Sequence, residues 1–238
     1  MDPSKVADYI EKVASQPGND DPLALWPSIL ICAFTAANNP SAVPLIYLRA
    51  VKPHSTNGEA RRLILRRLKE ALLKGTLLFG IPRVLNSFYA LARVIGDEES
   101  VDKEIVRSDL KNPLDLTERG MKYFENIYRN DMPAMLEPAD RLFPDLRVLA
   151  VHIAYGTYIS ETKVLSPIET SMITIASLLP MDVPTQVKWH MRGLLRNSGS
   201  EADIRQALEL SLAAVKLSGV NLLGGVPEIA EVLAERLF

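Results

Sequence analysis

The chain has 238 residues, 47% of them apolar, with 27 lysines and arginines against 29 aspartates and glutamates and a formal net charge of −2. That length and apolar share suffice for one large domain or two small ones with a substantial core. The near-neutral balance gives no broad electrostatic reason to expect a nucleic acid or an anionic membrane surface as partner.

The N-terminal stretch "MDPSKVADYIEKVASQPGNDD" is polar and carries acids before any apolar run. It lacks the basic start and apolar middle of a signal peptide and is too acidic for a transit peptide. No uncharged apolar run approaches the roughly 18–20 residues that span a bilayer. The final "ERLF" is unlike a Ser-Lys-Leu peroxisomal tail. These readings lead to the expectation of a soluble, cytoplasmic protein. The single cysteine, Cys32, allows no internal disulfide, Cys-x-x-Cys pair or thiolate metal cluster. Its setting in "SILICAF" reads as a small buried hydrophobe.

Aromatic residues make up 6% of the chain, and no sustained apolar/polar alternation bounded by turns occurs. Helical patterns with readable starts dominate, and the expected fold is all-α. "TNGEARRLILRRLKEALL" (56–73) opens with a Thr56-x-x-Glu59 capping box and lines up Leu65, Leu68 and Leu72. Its basic run, 61–69, reads as a solvated face or a subunit contact rather than a nucleic-acid surface. "GDEESVDKEIVRSDLKNPLDLT" (96–117) is charged and carries a proline, so the chain divides into 1–100 and 118–238 joined by a connection over 101–117. "SPIETSMITIASLL" (166–179) has a complete start signal in Ser166, Pro167 and Glu169. "SGSEADIRQALELSLAAVKLSG" starts at Ser200 and stops at Gly219, with Ile204, Leu208, Leu212 and Val215 in register.

A shift of about 140 residues aligns "VPLIYLRAV" (43–51) with "VPTQVKWHM" (183–191), and Gly80 with Gly219 after a one-residue slip. Two degenerate tandem helical copies are therefore expected. Ala50 then stands where His190 stands in the second copy, which leaves one histidine site per chain.

On the helix containing His190, Val187, Met191, Leu194 and Leu195 form an apolar stripe and Lys188, Arg192 and Arg196 a solvated one. Gln186, His190, Gly193 and Asn197 fall on the boundary between them. Such a line suits a pocket wall, and equally suits side chains that simply hydrogen-bond a neighbour. Glu169 reads as a helix cap, and His152 as a core or a pocket histidine. Tyr155 and Tyr158 could pack or could orient a substrate oxygen. His54 lies in a solvated loop. No Gly-rich phosphate loop and no His/Asp/Glu set with zinc-like spacing is present, so neither metal nor nucleotide is indicated.

Pro144-Asp145-Leu146, "AYGTYIS" with Gly156 and Tyr158, Leu165-Ser166 and "QVKWHMRGLLRNSGSEADI" resemble the carboxymuconolactone decarboxylase family of the alkylhydroperoxidase D-like superfamily. The match follows its Gln-x-Lys-x-His-x-x-Gly-x-Leu pattern, and "GIPRVLNSF" (80–88) is similar to its Gly-aromatic-Pro segment. Four positions depart: Val183 and Gln186 replace the thiol pair, Asn221 stands where a proline belongs, and His152 stands where a glutamate does. The resemblance implies the superfamily's helical fold, a homotrimer or hexamer, and a small-molecule substrate. It also implies cofactor-free, thiol-independent decarboxylation of a carboxylated lactone, with no peroxidase activity carried over. His190 would be its acid/base and Gln186 its orienter or a carbonyl donor, with His152 and Tyr158 near the pocket and Glu169 there as a proton-relay partner. Two alternatives stay open: an isomerase or cyclase acting on a more hydrophobic metabolite, and a non-catalytic oligomer that kept the fold.

Overall fold

The computed structural model describes residues 2–95, 103–108 and 113–235. Every regular element among them is helical, as the composition and periodicity predict. The connection expected over 101–117 falls partly outside the described residues.

The N-terminal half comprises α1 (Pro3–Ala14), α2 (Trp26–Ala36), α3 (Ala42–Val51), α4 (Gly58–Phe79) and α5 (Ile81–Ala92). The C-terminal half begins with α6 (Pro113–Tyr128), α7 (Met132–Leu142) and the single turn α8 (Pro144–Arg147). The chain then widens into a π-helix, Val148–Ile159, followed by α9 (Pro167–Leu178), α10 (Pro184–Arg196), α11 (Glu201–Ser218) and α12 (Ile229–Ala234).

Two helices are buried nearly all round. Every residue of α2 is buried, as is α9 from Thr170 to Leu178. They pack on each other, with α11 and α4 against both. Burial of α9 is possible because its polar side chains are small and satisfied within the helix. Ser171, Thr174 and Ser177 each donate to the carbonyl four residues back, at 2.7–3.0 Å. Cys32 lies in this core beside the Ala71 carbonyl, where burial pushes its thiol up to about 12. At that value it is not a nucleophile near neutral pH.

Helix ends follow local chemistry. Reciprocal capping boxes start α9 at Ser166/Glu169 and α11 at Ser200/Asp203, and Gly219 ends α11 with φ 69°. At α4 the expected cap is displaced by one residue: Asn57, in extended conformation, accepts from the Ala60 amide. Asn is as good a cap as Thr, and Gly58 then opens the helix, so Glu59 comes one position too early for a box. The two halves contribute to a single apolar core. The packing does not confirm the expected tandem copies.

A second, aromatic cluster lies where α6 meets the π-helix: Phe124, Ile127, Tyr128, Leu136, Val151, Tyr155 and Ile159. The approach is close because both partners lack a side chain at the crossing. A Cβ on Gly120 would run into the Val151 carbonyl and the Gly156 backbone, and one on Gly156 into the Leu116 carbonyl.

Candidate functional site

Helix α10 links the two clusters. Pro184 opens it, and Val187, Met191 and Leu194 point into the main core. Lys188 and Arg192 face outward to Glu231 and Glu235, which fastens α12 over them. The boundary line turns toward α6. Gly193 lets α6 close in, because a Cβ there would stand 2.8 Å from Ile127 Cγ2. Asn197 accepts from Asn126 at 2.6 Å and donates to Ser171 at 3.1 Å, tying α10 to α6 and α9.

His190 is 6% exposed, and its Nε2 shares a 3.3 Å hydrogen bond with the Tyr128 hydroxyl. That hydroxyl lies 2.7 Å from the Tyr155 hydroxyl. The result is a chain of three groups joined by two hydrogen bonds and walled by the rings of Phe124, Tyr123 and Trp189. Its other end is open: His190 Nδ1 is buried and has no protein partner. Desolvation lowers the imidazole to about 4 and raises Tyr128 to about 12 and Tyr155 well above the ordinary phenol value. All three groups are therefore neutral near pH 7. Beside them, Met121, Met132 and Leu136 pack on the cluster and also floor an open groove of about 660 Å³, rimmed by Glu137, Asp140, Arg141 and Arg147.

The other candidates are dispersed. Gln186 is exposed, on the first turn of α10. Glu169 closes the α9 capping box and accepts from the buried Arg67 at 2.6 Å. His152 is half-buried, with Nδ1 3.1 Å from the Thr117 hydroxyl. The Tyr158 ring lies beneath the Arg107 guanidinium, 5.5 Å from its carbon. His54 bonds the Asp20 carbonyl at 2.8 Å. Tyr128, the direct partner of His190, escaped the sequence reading. The heptad-like spacing Met121, Phe124, Tyr128 on α6 was the available signal.

Sequence reasoning also missed an ionic clasp at the C-terminal end of the π-helix. Lys74, 1% exposed, donates to the carbonyls of Tyr158, Ile159 and Glu161. Arg107 donates to those of Thr157 and Tyr158, and Arg119 to that of Gly156. Cations at a helix C-terminus meet both the unpaired carbonyls and the negative end of the dipole. Glu70 pairs with Arg107 through both oxygens and lies 3.8 Å from Lys74, and Glu161 faces Arg119 at 3.5 Å. Among the described residues no group of three or more His, Cys, Asp or Glu could hold a metal ion, and no helix is long and apolar enough to cross a membrane.

No family model matches the chain, and no solved structure does. Two curated proteins are similar to it over most of their length. Peroxisomal protein 2 of Schizosaccharomyces pombe is 29% identical over 198 residues, 83% of this chain and 89% of its own. Peroxisomal protein 2 of Saccharomyces cerevisiae is 21% identical over 262 residues, 86% of this chain and 92% of its own.

These findings overturn two expectations. The carboxymuconolactone decarboxylase assignment, with its decarboxylase and lyase labels, falls: no model of that family matches, and the relatives carry another name. The motif that suggested it has a packing explanation in the seating of His190 and Gly193 against α6. The cytoplasmic expectation falls as well, since both relatives are named as peroxisomal. It rested on the terminal signals and on the lack of a membrane-spanning apolar run.

Proposed function

We propose that this chain is a peroxisomal, homo-oligomeric protein that carries out cofactor-free, thiol-independent proton transfer on a small, largely apolar metabolite, as an isomerase or cyclase does. The observation that carries this reading is the unpartnered Nδ1 of His190 at the end of the Tyr155–Tyr128–His190 chain. A buried polar atom without a partner costs about 1–3 kcal/mol, and one in a native core calls for an explanation. A substrate oxygen or acidic C–H presented to Nδ1 supplies one. The neutral imidazole takes a proton from one atom of the substrate at Nδ1 and returns it to another, while Nε2–H donates to the Tyr128 hydroxyl. The aromatic and methionine surroundings favour a neutral substrate over a dicarboxylate. The names of the two relatives support the peroxisome as its compartment.

The test follows α-proton exchange by NMR in deuterated water, for neutral cyclic ketones and enol lactones and for their carboxylated analogues. Wild type should exchange the neutral compounds, and His190→Gln should be slower by about 10²-fold or more at unchanged folding. Tyr128→Phe should fall between them. Exchange by the carboxylated compounds alone would overturn the substrate class.

A second reading, an oligomer without chemistry, is favoured by one observation. Glu169, His152 and Tyr158 are all engaged in structural contacts. Failure of every compound to exchange, with none raising the melting temperature, would select it. A fluorescent fusion imaged against a peroxisomal marker tests the compartment independently.

A further inference from the structure

The Nδ1 atom of His190 is buried from water, and the Tyr128 and Tyr155 hydroxyls beyond the ring are occupied with one another. Chemistry at that atom, the reading on which this inference rests, requires an element to move. Three of the four elements around the hydrogen-bonded chain are fixed. Helix α10 is rooted in the main core by Val187, Met191 and Leu194. Helix α6 is held to it by Asn126 on Asn197 and by Arg196, which donates to the Ile127 carbonyl at 2.6 Å. The π-helix crosses α6 where both lack side chains, and its C-terminal end is clasped by Lys74, Arg107 and Arg119. The fourth element, α7, is held less firmly. Of its 11 residues only Leu136 and Ala139 are buried, and it packs mainly on α6 and on the turns at its two ends.

We propose that the first half of α7, residues 132–137, is a gate that lifts off the aromatic cluster to admit the substrate, with Pro138 as its hinge and Asp131 as its latch. Leu136 belongs to the cluster with Phe124, Tyr128 and Tyr155, and Met132 and Met135 pack against it. Pro138 lies inside the helix and has no N–H to give the Ala134 carbonyl, so α7 is weakest just behind those three side chains. Beyond the hinge, Asp140 is pinned to Arg147 at 2.6 Å, which keeps the second half of α7 on α8. Ahead of it the hold is looser: Asp131 faces Arg192 at 3.4 Å and Arg196 at 3.7 Å. Arg129, just before, stands at φ 42°, a left-handed conformation that a non-glycine residue keeps only while its surroundings impose it. Met132 and Leu136 also floor the open groove of about 660 Å³. Lifting them joins that groove to the hydrogen-bonded chain, which makes it the way in for an apolar molecule.

The gate is read by labelling a thiol placed behind it. His190→Cys puts one at the site, and Cys32, fully buried in the main core, is the reference within the same chain. Both are followed with N-ethylmaleimide and peptide mass spectrometry, at urea concentrations below the unfolding transition. The introduced thiol should label much faster than Cys32 and at a rate nearly independent of urea, because a local opening exposes little surface. Relative to Cys32, Asp131→Asn should speed that labelling about 5-fold, and Pro138→Ala should slow it about 10-fold. Labelling that followed the urea dependence of Cys32 would overturn the gate. Local labelling that neither variant moved would overturn its assignment to α7. Hydrogen exchange in the unsubstituted chain reads the same opening should His190→Cys fail to fold. The α7 amides should exchange well ahead of those of α6 and α10, and equal protection would overturn the gate. Neither measurement uses a substrate, so failure of every compound to exchange its α-proton counts against the chemistry and not against the gate.

Discussion

At the scale of single residues, His190 ties stability to pH. Its folded value, about 4, lies below the ordinary 6.5 because burial disfavours the charged ring. The unfolded chain therefore binds the proton more readily, so the contribution is complete above pH 6.5 and is lost as pH falls toward 4. The full difference is about 3 kcal/mol at 1.36 kcal/mol per pKa unit. Urea denaturation at pH 7 and pH 4 should show His190→Gln losing less stability than wild type by about that amount, and equal losses would refute the assignment. Residue-level signals in the sequence were legible where the physics is local. The caps at Ser166 and Ser200 and the left-handed stop at Gly219 need only neighbours within four positions. Tyr128 was not legible, because its hydroxyl meets a histidine 62 residues away.

At the scale of elements, the π-helix is the least expected feature. Its apolar residues surround it, so no periodicity distinguishes a 3.6-residue turn from a wider one, and the sequence gives no warning of the difference. The Gly120–Gly156 crossing and the clasp of Lys74, Arg107 and Arg119 hold it. Lys74→Met should leave the Ile159 and Glu161 carbonyls without its ammonium and Glu70 and Glu161 short of a counter-charge, costing about 3–5 kcal/mol. Gly156→Ala should cost about 1–3 kcal/mol, because the new methyl meets backbone that cannot rotate away. Denaturant midpoints check both, and hydrogen exchange should localise the loss to residues 148–159. Glu70 and Lys74, four apart on the buried side of α4, read only as two more charges in a helix already rich in them. Their partner Arg107 lies in a segment that reads only as a connection.

At the scale of the whole molecule, the all-α class was legible because helix patterning is summed over many turns. How the halves meet was not, since it depends on α2 and α9 lying together in one core. Buried polar contacts reinforce that union, among them Arg67 of α4 on Glu169 of α9. The aromatic cluster is joined to the core through α10, which supplies Val187 and Met191 to the core and Trp189 to the cluster. Detaching one then exposes a face of the helix that serves the other. The chain has two tryptophans, and they fall one on each side: Trp26 is 1% exposed in the main core, and Trp189 packs edge-on to Tyr128 in the cluster. Trp26→Phe and Trp189→Phe therefore leave single reporters for the two regions. Once corrected for each substitution's effect on overall stability by circular dichroism, the two fluorescence transitions should coincide. A cluster that melted first would show α10 to be a hinge between two folding units.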